Sequence, residues 1–229
     1  MAKTNTGNKG NELLEDPNSL ADKLSKSEDF VKNNRNILLY VGVGLAAVLA
    51  GVLFYRSQLK EQNQEAQVSM INGVYYWEQD STKQALKENL VDVADENSMT
   101  DAGNLAKFYV GTAYLKQGKY EDAITYLKDF SSDDLLLQAR VYSLIGDAYM
   151  EQKDLENATI YYNKAVDYKP NQYYTPEYCM KAGLAYELSK DYESAVKMYD
   201  KVINDYWQAS EVNDAKKYKA RAEELMAAK

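Results

Sequence analysis

The sequence predicts an all-α protein, a helical-repeat array behind one apolar helix. Three observations predict it. Four glycines, Gly73, Gly111, Gly146 and Gly183, recur at intervals of 35 to 38 residues. Each is followed three positions later by Tyr (Tyr76, Tyr114, Tyr149, Tyr186) and twelve later by Ala (Ala85, Ala123, Ala158, Ala195). Ile37–Tyr55 is an uninterrupted uncharged run, and Pro occurs only 3 times in 229 residues while Tyr occurs 21 times, a balance suited to helices packed by aromatics.

The polar segment 1–36 comes first and reads as a tail, with residues 1–16 too polar to bury a core. Ser19 is placed to cap a short helix carrying Leu20, Leu24 and Val31. The run 37–55, ILLYVGVGLAAVLAGVLFY, approaches the ~20 residues that cross a hydrocarbon core. Tyr40 and Tyr55 stand near its ends, where amphipathic rings favour the interface. It is long for the apolar part of a cleaved leader, and no cysteine directly follows it to carry a lipid. Lys23, Lys26, Lys32 and Arg35 precede the run and Arg56 and Lys60 follow. The excess of cations before it predicts a cytoplasmic N terminus, with the remainder across the membrane. Gly42, Gly44 and Ala47 spell G-x-G-x-x-A. A dinucleotide site needs a strand, a turn and an amphipathic helix around that spelling, whereas this run stays apolar on all faces. Gly42, Ala46 and Ala50 have a spacing that lets spans pack closely, as do Ala47 and Gly51; small residues are also simply common in single spans. Residues 56–65 are polar without Gly or Pro and read as a helical stalk, rising about 15 Å at 1.5 Å per residue.

The repeats occupy 66–229, with units near 66–99, 104–137, 139–172 and 176–208 and a cap at 209–228. In the third, Tyr142, Ile145, Gly146 and Tyr149 follow the spacing W-x2-L-G-x2-Y; Ala158 and Tyr162 supply A-x3-F, and Pro170 closes it. That is the pattern of the tetratricopeptide repeat, a helix–turn–helix of about 34 residues. Gly146 and Ala158 fall where its two helices cross. The second unit carries Val110, Gly111, Tyr114, Gly118, Tyr120, Ala123 and Leu127. The fourth carries Ala182, Gly183, Tyr186, Tyr192, Ala195 and Tyr199, with Pro176 at a first helical position. The first is degenerate: Asn72 and Asn89 stand in usually apolar places, and 90–103 read as a long connection. The cap predicts an apolar face of Val212, Ala215, Tyr218, Ala222 and Leu225, since arrays need a polar-backed end.

Chemistry is sparse. A formal charge of −8 disfavours nucleic acid, and the count of 0 His removes imidazole-based triads and most metal sites. Cys179, the 1 cysteine, takes the motif's Trp place and reads as a packed apolar residue. Asn157-Ala-Thr spells a glycosylation acceptor but falls on a predicted helix. No pair of carboxylates forms a cleft for acid–base work. No catalytic, cofactor or metal site and no small-molecule substrate are expected. Stacked repeats present an inner wall from the first helix of each pair. Counting from the glycines, that wall comprises Phe108, Thr112 and Leu115, then Ser143, Asp147 and Met150, then Met180, Leu184 and Glu187. An Asp at its centre argues against capture of a free C-terminal carboxylate, so the expected ligand is a segment or helix of another protein. The competing expectation is an inner face that is solvated, or filled by the chain's own C-terminal helix.

The layout of tail, span, stalk and four repeats resembles membrane-anchored tetratricopeptide proteins of bacterial envelopes. It is most similar to the YfgM-like family of ancillary subunits of the SecYEG translocon, in a form like that of the Bacteroidota. SEDFVKNNRNILLYVGVG, YYWEQDSTKQAL, NLAKFYVGTAYLKQGKYEDAITYL, SLIGDAY and KAGLAYEL carry the likeness. The resemblance implies a single-pass inner-membrane protein with a periplasmic repeat domain. There it would act as scaffold or co-chaperone with a membrane-anchored parvulin-type chaperone and emerging secretory proteins. The alternative is a structural adaptor of another envelope complex, for division, motility or outer-membrane assembly.

Overall fold

A computed structural model describes residues 17–228, with side chains over 25–228. The expected tail 1–16 lies outside the described residues, as do the side chains of Leu20 and Leu24. No strand occurs among the described residues. The chain divides between Gln58 and Leu59 into two compact parts.

The first part holds α1 (Pro17–Asn33) and most of α2 (Arg35–Ser69). Asn34 separates them; its backbone N–H donates to the Phe30 carbonyl at 3.0 Å and its side chain to the same oxygen at 2.9 Å. The 35 residues of α2 include the whole apolar run, and by length and composition it is a helix able to cross a membrane. Its apolar side chains from Ile37 to Tyr55 are exposed.

The second part is an array of antiparallel helix pairs. The first pair comprises the end of α2 with α3 (Ile71–Glu78), then α4 (Thr82–Ala85), a widened turn at Leu86–Leu90, and α5 (Val91–Glu96). Residues 91–96, expected within a long connection, are therefore helical. Three regular pairs follow: α6 (Asp101–Lys116) with α7 (Tyr120–Asp129), α8 (Leu137–Glu151) with α9 (Leu155–Asp167), and α10 (Thr175–Leu188) with α11 (Tyr192–Asp205). Finally α12 (Val212–Ala227) packs on α11.

Local chemistry sets the ends. Thr100 Oγ1 accepts the Gly103 N–H at 3.0 Å to start α6. The Asp154 and Asp191 carboxylates do the same for α9 and α11, accepting from Asn157 and Ser194 at 3.1 Å. Pro176 lies in the first turn of α10. The turns within pairs share one left-handed residue each: Asp80, Gly118, Lys153 and Lys190, with φ from 57° to 73°. Only Gly118 takes that conformation without a steric cost.

The pairs meet at the repeated glycines. A Cβ on Gly146 would lie 2.6 Å from Tyr162 Cδ1, and one on Gly111 would lie 2.6 Å from Leu127 Cγ. Gly183 is covered by Tyr199 in the same way. Ala85, Ala123, Ala158 and Ala195 are all fully buried. The first pair departs in register. Asn89, the residue sixteen after Gly73, has φ 62° and is exposed, and Leu90 packs on Gly73 instead. One extra residue in the widened turn rotates an apolar side chain into the slot that Asn89 holds in the sequence count.

On α12, Ala215 and Ala222 are buried while Val212 and Tyr218 are half-buried against the α10–α11 core. Leu225, expected on that face, is exposed.

Candidate partner-binding face

The wall is built outward from the glycine crossings. Tyr162, pressed on Gly146, donates its hydroxyl to Asp147 Oδ1 at 2.8 Å. Lys181 of α10 reaches both Asp147 oxygens, at 3.0 and 2.8 Å, and the Ser143 hydroxyl at 3.2 Å. One layer on, the Tyr199 hydroxyl donates to Glu187 Oε1 at 2.7 Å, and Arg221 of α12 donates from Nε to Oε2 and from Nη2 to Oε1, at 2.9 and 3.0 Å. Burial pushes both phenol pKa values up, and the adjoining carboxylates push them further. The tyrosines therefore stay protonated and serve as donors.

Two grooves open along these layers. The one between the α6–α7 and α8–α9 pairs, about 350 Å³, is lined by Leu115, Tyr120, Asp147, Met150, Glu151 and Tyr162. The Tyr120 hydroxyl donates to Glu151 Oε2 across it at 3.3 Å. The one between α8 and α10, also about 350 Å³, is lined by Arg140, Ser143, Leu144, Glu177, Tyr178 and Lys181, with Tyr174 at its edge. A third cavity of about 540 Å³ holds Tyr142, Tyr161 and Tyr168 with Lys128 and Lys164. Lys128 Nζ donates to the Tyr149 hydroxyl at 2.6 Å and lies 5.4 Å from the Tyr161 ring centre.

The nine residues counted onto the wall do not form one surface. Leu115 and Met150 share the first groove with Asp147. Met180 is half-buried and Leu184 is exposed. Phe108, Thr112, Ser143 and Glu187 are buried and engaged within the chain. Phe108 packs against Trp77, Tyr109 and Phe130 with ring centres 5.6 to 6.4 Å apart. Thr112 Oγ1 accepts the Trp77 indole N–H at 2.9 Å and donates to the Tyr109 carbonyl at 3.0 Å. Counting along one helix misses this, because Trp77 and Phe130 come from outside that helix. Asp147 is not an isolated negative charge either, since Lys181 neutralises it; the sequence argument that it repels a carboxylate loses its force.

Sequence reasoning also missed Lys181, Arg221, Arg140, Tyr120 and Glu151. One signal was present: Lys181 follows Asp147, and Arg221 follows Glu187, by 34 positions, close to the repeat length. Among the described residues no group of three or more His, Cys, Asp or Glu is placed to hold a metal ion.

The tetratricopeptide repeat family model matches residues 111–173, and a second tetratricopeptide repeat model matches 180–206. These segments are tetratricopeptide repeats. No curated protein matches the chain. Repeats of this kind indicate a scaffold for protein–protein interaction, a class that is generally non-catalytic.

Proposed function

We propose that this chain is a membrane-tethered scaffold that holds a segment of another protein in the groove between its second and third repeats. The observation that carries the proposal is the composition of that groove. Leu115 and Met150 offer apolar contact, and Tyr120, Asp147, Glu151 and Tyr162 surround them with polar atoms already engaged with one another or with Lys181. An apolar anchor with satisfied polar groups around it suits a bound side chain or short helix. The exposed apolar α2 supports the tether.

The resemblance of layout and phrases supports a finer reading. The span sits in the inner membrane with a cytoplasmic N terminus, and the array stands in the periplasm beside the SecYEG translocon. Its ligands are a parvulin-type membrane-anchored chaperone or emerging secretory proteins.

The test is crosslinking in intact membranes, followed by mild-detergent pull-down of the full chain and of a Leu115→Asp/Met150→Asp variant. Translocon products that vanish in the variant, with circular dichroism unchanged, support the proposal. Complete absence of translocon products sinks the finer reading. Identical products from wild type and variant sink the groove itself.

A further inference from the structure

The two edges of the array differ in chemistry. The turns within pairs read Gln79-Asp80-Ser81, Gln117-Gly118-Lys119, Gln152-Lys153-Asp154 and Ser189-Lys190-Asp191, all polar or glycine. The connections between pairs each present large apolar side chains to solvent: Met99, Leu135 and Leu136, Tyr173 and Tyr174, and Trp207. Tyr173 is 85% exposed, Met99 75% and Trp207 69%.

Because the helices alternate in direction, the connections between pairs lie along one edge, and hydrogen bonds tie them together. Asn104 exchanges two bonds with the Ser131 backbone, at 2.7 and 3.1 Å. The Tyr168 hydroxyl donates to the Ser132 carbonyl at 3.0 Å, and Lys169 donates to the Asp133 carbonyl. The chain enters the array at the same edge, where Asn63 Oδ1 accepts the Ala102 N–H at 2.8 Å beside the start of α6.

We propose that this edge is a lipid-contacting surface, seated in the headgroup layer of an electrically neutral bilayer. The proposal rests on the membrane-tethered reading above. Only eight positions separate Tyr55, the last residue of the apolar run, from Asn63, so the covalent chain alone keeps the array within about 28 Å of the span. The headgroup layer is roughly 5–7 Å deep on each side. Trp and Tyr are side chains that favour this layer, with an apolar body and a polar tip. Neutral lipid follows from the balance of charge at this edge, where Asp133, Asp134 and Glu211 on the connections and Asp101 at the start of α6 outnumber Lys169, and an anionic surface repels the excess.

The test reconstitutes the full chain, one copy per phosphatidylcholine nanodisc, with a shallow nitroxide-labelled lipid as quencher. Trp77→Phe leaves Trp207 as the only reporter. Trp77→Phe/Trp207→Phe supplies the background for Gln152→Trp on the polar edge and Leu45→Trp in the apolar run, the last read with a deep label. Expected are at least twofold stronger quenching of Trp207 than of the residue 152 reporter, and quenching of the residue 45 reporter. Equal quenching at 207 and 152 overturns the edge assignment alone. An unquenched residue 45 reporter overturns the membrane reading beneath it. Quenching of Trp207 that requires phosphatidylglycerol overturns the choice of neutral lipid. As a check independent of Trp77 substitution, hydrogen exchange of the unmodified chain should slow at 131–136, 168–174 and 206–211 on passing from detergent to nanodisc. No slowing relative to 117–119, 152–154 and 189–191 overturns the proposal.

Discussion

The Tyr162 hydroxyl donates to the Asp147 carboxylate at 2.8 Å, and the Tyr162 ring fills the space left by the absent side chain of Gly146. Lys181 then binds that carboxylate from the next repeat. Tyr199, Gly183, Glu187 and Arg221 repeat the arrangement one layer on. The glycine sets the approach of two helices, the phenol fixes the acid, and the acid takes a cation from the following layer. Each repeat thus depends on its neighbour through named groups, the physical content of nearest-neighbour stability in such arrays.

Tyr199→Phe removes a hydrogen bond to a charged acceptor, in a class that contributes about 1.5–3 kcal/mol. Arg221 still holds Glu187, so the loss should fall near the lower end. Glu187→Ala leaves the Tyr199 hydroxyl buried without its acceptor and should cost more. Urea titration of both single variants and the double should give a coupling energy of about 1 kcal/mol. Additive losses would dismiss the pair as an energetic unit.

Gly146→Val should lower stability by about 1–3 kcal/mol, the usual result of overpacking a filled site. Glycine costs a helix up to about 1 kcal/mol relative to Ala, but the Tyr162 ring 2.6 Å from the added Cβ outweighs that gain. The ring cannot move outward without breaking its bond to Asp147. Thermal melting followed by circular dichroism should show the drop, and an unchanged midpoint would refute the packing argument.

The glycine and alanine register was legible because small residues at a helix crossing are a local requirement of the chain. Burial of Phe108 and Thr112 was not, since their cover comes from Trp77 and Phe130 outside their own helix. The ion pairs of Asp147 and Glu187 were hidden for a related reason. Their partners sit 34 positions away, and a count along one helix treats both acids as open wall. A charge reversal at either site therefore breaks an internal bridge as well as altering the wall. Leu115, Met150 and Leu184 are the cleaner probes of binding.

Acid should destabilise the array through its helix starts. Hydrogen bonds from the Leu137 and Leu136 backbone hold the Asp134 carboxyl below its ordinary value, and the Asn157 side chain and backbone do so for Asp154. A carboxyl with a depressed folded-state pKa contributes stability that is present above its unfolded pKa, about 3.9. That contribution fades as pH falls through the lower, folded value. Between pH 5 and pH 2 the urea midpoint should therefore fall less for Asp134→Asn/Asp154→Asn than for wild type. Parallel curves would exclude these two groups from the acid transition.

Cys179 is fully buried, and burial pushes its thiol up to about 12. At pH 8 about one molecule in ten thousand then carries the thiolate, the reactive form. The native chain should resist a disulfide reagent such as Ellman's, and should react in denaturant at the rate of a free thiol. Reaction of one thiol per native chain within the mixing time would contradict the packing of α10 on α11.

The register slip in the first repeat offers the sharpest separation of backbone from side-chain effects. Asn89 has φ 62°, in the left-handed region that Asn tolerates and β-branched residues avoid. Asn89→Val should cost about 1–2 kcal/mol through the backbone alone, because the side chain is exposed. Asn89→Gly should be neutral or stabilising by less than about 1 kcal/mol, the relief of strain offset by a freer unfolded chain. Deleting Asn89 puts Leu90 sixteen positions after Gly73, the count at which Leu127, Tyr162 and Tyr199 cover their own glycines. Leu90, fully buried, then keeps its place on Gly73 and the left-handed residue is gone, so the deletion should cost less than Asn89→Val. The expected order of stability, by urea midpoint, is glycine variant at or above wild type, then the deletion, then the valine variant. A deletion that falls below wild type by about 2–5 kcal/mol, the loss expected when a buried leucine leaves its site, would show that the extra residue is needed to seat Leu90.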